Sequence, residues 1–586
     1  MHRPPCFLAT ISLVWSLLGP PGLATAEEGP ATLGRSAERI YQHAVVAADH
    51  PLASEAGREI LDRGGNVVDA AVATSFALSV VRPASCGIGG GGFMVIWDAK
   101  KQQAVALDYR ERAPAGATRD MFVDPDNPKR PQGDLSRKGQ LAVAVPGTVA
   151  GLCYASRTYG RLPLRAVLAP AIRLAREGVP VDDHDRQVQK DVLAAFAEHE
   201  QYRQRFAPLY QKYLNGGTPW QAGDRFHSPQ ADVLEAIAER GPDAFYGGPV
   251  AEAIVAEMQR GGGLITAADL AGMRPVARQP LQADFDGRHI VTMPPPSSGG
   301  VALIETLNLL AASAQAQPDA AVRRADHQSP ERLHLLAESF KHAFADRAAF
   351  LGDTDFARVP VERLTSADYA RRLAARIDRE RTQPPAAYGS HALGDDGGTS
   401  HFSIIDRDGN AVACTETINT AFGSFVVEPR FGIVLNNEMD DFSAVPGQPN
   451  AFGLVQSEAN AVEPGKKPLS SMTPTIVVED GRAVHALGGS GGPRIISSTL
   501  QVLLNLTRHG MQPEQAVRLP RIHHQWFPDV LSVEDPLYGE VRGPLERRGH
   551  KVERRNRLAV VQAVSRSPDG LRGASDPRKG GRPAGY

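Results

Sequence analysis

The stretch Asp395-Asp396-Gly397-Gly398-Thr399-Ser400-His401, followed by Phe402-Ser403-Ile404-Ile405, decides the predicted fold and chemistry. An acidic, glycine-rich segment ends at a hydroxyl residue, and an apolar strand begins directly after it. Such a junction suits a chain that cuts itself before Thr399. The cut would give Thr399 a hydroxyl nucleophile and a free α-amine as its base, because an α-amine with a pKa of about 7.7–8.0 accepts protons near neutral pH. The stretch therefore predicts a self-activating acyl-transfer enzyme.

Strands and helices are predicted on both sides of this junction. Apolar runs after it predict strands at 402–405, 411–418, 432–435, 475–479 and 484–487, and a helix at 495–506. Before it, helical spacing predicts two helices within 53–82 and mainly helix from 148 to 390, with a strand pair at 93–97 and 104–109. The polar segments 312–330 and 382–398 are interpreted as mobile connections. Together these elements predict a layered α/β sandwich.

Composition excludes several classes of protein. The 586 residues contain 64 Lys+Arg and 66 Asp+Glu, so no overall field favours nucleic acid or an anionic membrane. A hydrophobic content of 42% with 22% charged residues is typical of a globular chain rather than a disordered one.

The N-terminus carries the pattern of an export signal. Arg3 supplies a positive charge, 7–18 is mostly apolar, and Ala24-Thr25-Ala26 matches a small-residue cleavage site. The apolar run is too short to span a bilayer comfortably. We therefore expect residues 1–26 to be removed from a protein without a membrane span, exported to the periplasm or secreted.

Cysteines and histidines give no framework for a disulfide or a metal. Cys6 would leave with the signal, and the wide spacing of Cys86, Cys153 and Cys414 favours buried free thiols. His523-His524 lacks an accompanying pattern of metal ligands. Neither a metal nor another cofactor is expected.

Two glycine motifs resemble sites of other chemistry. Residues 87–92 satisfy G-x-G-x-x-G, but a helix precedes and a strand follows, which is the reverse of a dinucleotide site and favours a close-packed turn. Residues 488–492 satisfy G-x-S-x-G, so Ser490 is an alternative nucleophile, with His523, His524 or His550 as its base. In the other interpretation, the amides of Gly491 and Gly492 form an oxyanion hole at a helix start.

Opposite charges at two strand ends indicate recognition of an amino acid. Arg110 follows a predicted strand and can fork onto a carboxylate. The stretch 435–442, Leu-Asn-Asn-Glu-Met-Asp-Asp-Phe, offers carboxylates for an ammonium group. Each group has an alternative interpretation, a surface ion pair for the arginine and a polar turn for the acids. His401 lies on the strand face of Thr399, where a role in processing or in structural support stays open.

These residues resemble the γ-glutamyltransferases, also called glutathione hydrolases, of the N-terminal-nucleophile superfamily. From the junction onward, the motifs that carry the resemblance are Thr399 to His401, 415–419 (Thr-Glu-Thr-Ile-Asn), 436–442, 468–472 (Pro-Leu-Ser-Ser-Met) and 488–494. Further matching motifs lie upstream of the junction, at 89–94, 108–111, 145–147 and 295–300, and near the end of the chain, at 573–578. The resemblance implies a four-layer αββα sandwich shared by a large subunit, 27–398, and a small catalytic subunit, 399–586, after cleavage between Gly398 and Thr399.

The resemblance also implies a role for each matching residue. Thr399 would attack the γ-glutamyl amide of glutathione, and water or an amino acid or peptide acceptor would resolve the acyl-enzyme. Thr417 would support Thr399, and the amides of Gly491 and Gly492 would take the oxyanion. Arg110, Ser470 and Ser471 would bind the α-carboxylate of the substrate. Asn419, Glu438 and Asp441 would bind its α-amine. Residues 443–459 resemble a lid loop. Pro493 and Gly398 depart from the common pattern, which could change the processing rate.

Three other functions remain open from the sequence. A cephalosporin or glutaryl acylase of the same superfamily would not need Asp441, because a glutaryl group lacks the amine. A non-enzymatic γ-glutamyl-binding protein would keep its chain uncut. An esterase that uses Ser490 would stay active without Thr399.

Overall fold

The first strand is buried on both faces, which shows how the sequence builds two packed layers. In the computed structural model, Ala44, Val46 and Ala48 face one hydrophobic cluster, whereas Val45 and Ala47 face another. Successive side chains of a strand point to opposite faces, so a strand that is apolar throughout must be covered on both sides.

The structure describes residues 39–315, 327–388, 398–445, 447–448, 450–454 and 456–586.

Two antiparallel sheets form the centre of the fold. The seven strands of the first sheet are, in spatial order, Ala584–Gly585, Ala44–Ala48, Ser400–Asp406, Ala411–Thr417, Gly91–Asp98, Gln103–Asp108 and Val276–Arg278. The six strands of the second are Gly570–Ala574, Val560–Ser567, Arg482–Ser490, Thr475–Glu479, Arg288–Thr292 and Leu281–Phe285. A buried cluster that includes Val95, Ala413, Ile476 and Val564 joins the two inner faces.

Helices cover both outer faces, which completes the four layers. The helices are Pro51–Asp62, Val67–Val81, Thr148–Tyr159, Leu164–Glu177, Asp183–Glu198, Tyr202–Arg205, Ala207–Lys212, Ala231–Arg240, Asp243–Tyr246, Gly248–Gly261, Ala267–Ala271, Gly299–Gln315, Pro330–Phe350, Val361–Leu364, Ala367–Ala374, Arg494–Thr507, Pro513–Arg518 and Leu537–Arg547. Val67–Val81 packs on the first sheet, and Gly299–Gln315 and Arg494–Thr507 pack on the second. The predicted αββα sandwich is confirmed.

Short elements complete the chain outside these layers. The short strands are Val123–Asp124 with Asn127–Pro131, Val179–Pro180 with Arg225–Phe226, Val427–Glu428 with Ile433–Val434, and Ile522–His523, Leu531–Glu534 and Val552–Arg555 in one sheet. The single-turn 3₁₀ helices are Gln140–Ala142, Asn215–Gly217, Pro385–Ala387, Glu438–Asp441 and Glu458–Asn460.

The segments before and after Thr399 interleave in both sheets. The strand Ser400–Asp406 lies between Ala44–Ala48 and Ala411–Thr417, and its register pairs Ser400 with Glu416. In the second sheet, Arg288–Thr292 pairs with Thr475–Glu479. Because each side of the junction supplies strands to the same sheets, a cut there would leave both pieces held by sheet hydrogen bonds and a shared core.

The predicted elements are present in the structure, which also contains several strands that were not predicted. The helix pair within 53–82, the strands near 93–109 and 402–418, and the helix at 495–506 are present. The helical prediction for 148–390 overlooks the strands Val276–Arg278, Leu281–Phe285 and Arg288–Thr292. Two of these lie at sheet edges and have exposed polar residues, so their apolar signal is weak.

Several predictions fall wholly or partly outside the described residues. These are the export signal with Cys6, most of the connection 312–330, part of the segment 382–398, and single positions of the proposed lid. Within the described part of the chain, no helix is long and apolar enough to cross a membrane. Cys86, Cys153 and Cys414 are buried free thiols, as predicted.

The motif at 87–92 forms a close-packed turn rather than a nucleotide site. A Cβ on Gly89 would lie 2.1 Å from the carbonyl oxygen of Val434, and one on Gly90 would lie 2.0 Å from that of Thr417. Only glycine allows this backbone approach. These glycines therefore bring the segments around 417 and 434 together, next to the candidate site.

Candidate active site

Strand pairing sets Thr399 beside Thr417. Thr399 immediately precedes the strand Ser400–Asp406, and Thr417 ends the neighbouring strand. The two side-chain oxygens are 3.3 Å apart, and both residues are largely buried. Thus the register of one antiparallel pair brings together two hydroxyls that are 18 residues apart in the sequence.

Both hydroxyls converge on the carbonyl oxygen of Gly398. Thr399 Oγ1 donates to it at 2.8 Å, and Thr417 Oγ1 donates at 3.0 Å. Thr417 Oγ1 also accepts from the backbone amide of Asn419 at 2.7 Å. Because that amide engages the oxygen as an acceptor, the hydroxyl proton of Thr417 is directed toward the Gly398 carbonyl. The arrangement polarises the peptide bond that precedes Thr399.

Lys579 holds the other side of Thr399 in place. Its Nζ donates to the carbonyl oxygen of Thr399 at 2.7 Å, to Asp49 Oδ2 at 2.7 Å and to Ser400 Oγ at 3.3 Å. This lysine is not among the predicted site residues. Its only signal was its position just after the motif at 573–578.

Arg110 lies between the two acids that were predicted to bind an amine. Its Nη1 donates to Glu438, its Nη2 donates to Asp441, and its Nε donates to the carbonyl oxygen of Pro468 at 3.2 Å. All three charged side chains are buried. The glutamate and aspartate lie on the 3₁₀ turn Glu438–Asp441, so a single turn presents both carboxylates.

Burial and ion pairing oppose each other in this cluster. Burial raises the pKa of Glu438 well above its usual range and raises that of Asp441, while the Arg110 guanidinium lowers both. Burial lowers the pKa of Arg110, but the acids more than offset it, so the net shift is upward. The cluster therefore contains a permanent cation and carboxylates whose protonation depends on what lies beside them.

A small pocket connects the threonines to this charged cluster. Nine of the predicted residues take part in it: Thr399, Thr417, Arg110, Asn419, Glu438, Asp441, Ser470, Ser471 and Gly492 line the pocket. Gly491 is not among the described residues that line it. Phe452 and Leu454, from the proposed lid at 443–459, contribute apolar surface. The structure thus brings together residues that the sequence separates by more than 300 positions.

Arg347 is a pocket residue that the sequence analysis missed. It lies on the buried face of the helix Pro330–Phe350 and lines the pocket beside Ser471. A signal was present, because Arg347 follows Phe340 and Phe344 at helical spacing on a face that is otherwise apolar. A cation at such a position is rarely there without a partner or a ligand.

His401 and Ser490 lie in surroundings that favour structural roles. His401 is buried with Nδ1 2.7 Å from Thr415 Oγ1 and Nε2 2.9 Å from Ser403 Oγ, and burial lowers its pKa to about 3. For Ser490, each candidate base contacts other side chains. His523 bonds Ser497 and Gln525, His524 faces Asp529, and His550 bonds His334.

One group of side chains has the composition of a metal site. Among the described residues, His334, Glu338 and His550 each bring a ligand atom within 4.8 Å of the others. His334 Nδ1 lies 2.7 Å from His550 Nε2, and Glu338 accepts from Thr382 Oγ1 at 2.6 Å. These atoms satisfy one another by hydrogen bonds, and Lys341 Nζ lies 3.9 Å from Glu338. The absence of a metal from the catalytic chemistry stays a prediction.

Comparisons with known proteins agree with this geometry. The Gamma-glutamyltranspeptidase family matches residues 53–586. The Glutathione hydrolase proenzyme of Escherichia coli (strain K12) is 41% identical over 588 residues, with 98% of each chain covered. A cephalosporin acylase from Bacillus halodurans has a similar structure, with a TM-score of 0.80 and 28% identity over 95% of this chain and 98% of that one. The Helicobacter pylori gamma-glutamyltranspeptidase gives a TM-score of 0.52 and 38% identity over 57% of this chain and 92% of its own.

Proposed function

The chain belongs to the gamma-glutamyltranspeptidase family and is a γ-glutamyl-transferring hydrolase, and from this premise we propose which of its residues carry the reaction. The observation that supports the proposal is a pocket with two converging hydroxyls, those of Thr399 and Thr417, at one end. At its other end lie a buried guanidinium, that of Arg110, and two carboxylates. Such a pocket can hold an amino acid by its charged groups while a nucleophile reaches its side-chain carbonyl.

We propose that the chain first cuts itself between Gly398 and Thr399. Thr399 Oγ1 attacks the carbonyl carbon of Gly398, the peptide bond shifts to an ester, and water hydrolyses the ester. Thr417 Oγ1 already donates to the carbonyl oxygen that becomes negative. The products are a large subunit, 27–398, and a small subunit, 399–586, which stay associated as a heterodimer through their shared sheets.

The cut creates the catalytic base. The new α-amine of Thr399 accepts the proton of its own hydroxyl, and Thr399 then attacks the γ-glutamyl carbonyl of a substrate such as glutathione. The amine of cysteinylglycine leaves with a proton, and an ester-linked γ-glutamyl enzyme remains. Water releases glutamate from it, or the amine of an amino acid or peptide takes up the γ-glutamyl group. Thr417 continues to hold the Thr399 hydroxyl in position.

Recognition uses the charged end of the pocket. Arg110, Ser470 and Ser471 take the α-carboxylate, and Asn419, Glu438 and Asp441 take the α-amine. An ammonium group that binds Asp441 competes with Arg110 for that carboxylate, which would free the guanidinium for the substrate carboxylate. The amides of Gly491 and Gly492 are proposed as the oxyanion hole. Gly492 lines the pocket, and both residues have a positive φ, 132° and 54°.

We propose export to the periplasm for this enzyme, with small molecules as its substrates. The support is the N-terminal pattern of a charged residue, an apolar run and a small-residue cleavage site in 1–26. No metal or other cofactor takes part in the proposed steps, since the hydroxyls, the amine and the backbone amides supply the nucleophile, base and oxyanion donors.

A cephalosporin or glutaryl acylase activity is the second candidate, favoured by the structural similarity to the Bacillus halodurans protein. Asp441 argues for the γ-glutamyl substrate, because its buried carboxylate lines the pocket and a glutaryl group has no amine to pair with it. A glutaryl amide assayed beside its γ-glutamyl counterpart separates the two, since only an acylase would prefer the glutaryl compound.

The test is self-processing together with activity. Purified wild-type protein is expected to give two fragments that meet at Gly398 and Thr399 by denaturing gel and intact mass, and to cleave a γ-glutamyl anilide. T399A should remain one chain and lose at least about 10⁴-fold in activity, because it lacks the nucleophile, whereas T399S keeps a hydroxyl and should be cut. An uncut wild-type chain would leave the binding-protein interpretation, and an active T399A would support Ser490 as the nucleophile.

A further inference from the structure

Arg347 is the second buried guanidinium of the pocket. It is 1% exposed and belongs to the helix Pro330–Phe350, which packs against the helix Gly299–Gln315 that covers the second sheet. It lines the same pocket as Thr399 and the charged cluster of Arg110. Two arginines therefore reach one small cavity from opposite layers of the fold.

The two arginines differ in their partners. Arg110 contacts Glu438 and Asp441 directly, with Glu111 at 3.7 Å. Arg347 contacts only hydroxyls: Nε donates to Ser298 Oγ at 3.0 Å and Nη2 donates to Ser471 Oγ at 3.5 Å. Its Nη1 has no hydrogen-bond partner among the described residues, although it is buried.

This arrangement is costly unless an anion binds there. A buried guanidinium without a carboxylate in contact pays most of the desolvation cost of its charge. Burial lowers the pKa of Arg347 to about 10, and the more distant charge of Asp441 opposes that shift. The side chain therefore still carries its charge at neutral pH, and this pocket-lining side chain keeps one donor nitrogen, Nη1, without a hydrogen-bond partner among the described residues.

We propose that Arg347 is a specificity-determining residue that binds the α-carboxylate of the γ-glutamyl substrate together with Ser471. This inference rests on the proposed function. Nη2 positions the Ser471 hydroxyl, and Nη1 supplies the donor that the carboxylate takes up. Arg110 shares its charge with Glu438 and Asp441, so Arg347 adds to it a second cation for the carboxylate, one that has no acid in contact with it.

The experiment compares two competitive ligands that differ only in the α-carboxylate. L-Glutamate has this group and 4-aminobutyrate lacks it, so each is titrated against cleavage of a γ-glutamyl anilide by the processed enzyme. R347M is expected to weaken L-glutamate roughly tenfold to 100-fold, the usual effect of losing a hydrogen bond to a charged group. It should leave 4-aminobutyrate within about twofold, since that ligand never used the lost contact. R347K should fall between wild type and R347M for L-glutamate, because lysine restores the charge without the planar fork.

Controls separate this proposal from its premise. R371M removes an exposed arginine from the helix Ala367–Ala374 and should change neither inhibition constant. Equal weakening of both ligands by R347M, or unchanged L-glutamate binding, would overturn the proposal. If R347M is not processed, R347K tests the proposal instead, through the ratio of its inhibition constants for L-glutamate and 4-aminobutyrate. If wild type cleaves no γ-glutamyl anilide, the proposed function fails, and that result is distinct from an active enzyme whose variants keep the L-glutamate preference.

Discussion

The two ends of the pocket are built from different chemistry. The Thr399 hydroxyl contacts the Thr417 hydroxyl and the Gly398 carbonyl, while the charged Lys579 contacts the other side of the residue, at its main-chain carbonyl. Around Arg110, Glu438 and Asp441, the contacts are ion pairs between buried charges. We call the Thr399 hydroxyl and its two partners the neutral end, and the cluster of Arg110, Glu438 and Asp441 the charged end.

This difference follows from the task of each end. In the proposed mechanism the base is the α-amine of Thr399, which exists only after the cut, so the intact chain needs no charged base beside the hydroxyl. Recognition of a zwitterion instead needs fixed charges of both signs, which are strong in a buried, low-dielectric pocket. Substitutions can therefore affect one end and leave the other intact.

Apart from loss of the Thr399 hydroxyl itself, the largest effect is expected from Thr417, at the neutral end. T417A removes the hydroxyl that donates to the Gly398 carbonyl, and self-cleavage should slow on the order of 10²-fold, as for loss of one oxyanion donor. The rate is measured by following the uncut chain on a denaturing gel over time. T417S retains the donor and should be cut at a rate close to wild type. Equal rates for T417A and wild type would mean that the neutral end does not act on the Gly398 carbonyl.

A smaller effect is expected at the charged end. D441N keeps the size of the side chain but removes the charge that pairs with Arg110. The KM for a γ-glutamyl anilide should rise roughly tenfold to 100-fold, since a charge-assisted contact is lost. Self-cleavage should continue at the wild-type rate, which would demonstrate the separation of the two ends. D183N, an exposed aspartate paired with Arg186, serves as the control and should change neither quantity. Failure of D441N to be cut would contradict the separation.

The smallest effect is expected on stability, and it tests whether the role of His401 is structural. Its pKa is about 3 in the folded chain, against about 6.5 when unfolded. Between pH 3 and pH 6.5 the unfolded state binds more protons at His401 than the folded state does. The contribution of neutral His401 to the free energy of unfolding is therefore fully present above about pH 6.5. That stability is lost as pH falls, by at most about 1.4 kcal/mol per pH unit.

Denaturant unfolding at several pH values between 6.5 and 4 tests this expectation. H401N should lose part of the acid dependence of the unfolding free energy, because asparagine does not titrate. The acid limb of the activity profile of H401N should keep the wild-type shape, since the base is the α-amine of Thr399. A shifted acid limb would instead assign His401 to catalysis.

Local patterns made much of the fold and site predictable. The junction at Thr399 combines a glycine-rich segment with an apolar strand, and both signals lie within a few residues. Glu438 and Asp441 share a single turn, so their cooperation was also visible locally. The edge strands 276–278 and 281–285 were missed because exposed polar residues conceal their pattern.

Contacts between distant segments were not visible in the same way. Lys579 contacts Thr399 across 180 positions, and Arg110 meets Glu438 across 328. The spacing of Arg347 behind Phe340 and Phe344 indicates a buried cation, but only the packing of its helix shows that it lines the pocket. Such contacts depend on strand register and layer packing, which no local window contains.

The sequence by itself therefore determined the strand that follows Thr399 and the charged residues at the strand ends, and it predicted Thr399 as the nucleophile, because these follow from neighbouring residues. The tertiary structure alone decided which charges meet. Burial then determines how strongly each charge depends on its partners. The positive charge of Arg110 is paired with buried carboxylates, whereas the hydrogen-bond partners of Arg347 among the described residues are hydroxyls. The physical reason is that the energy of a charge depends on its distance from other charges and from water, and both distances are established only when the layers pack.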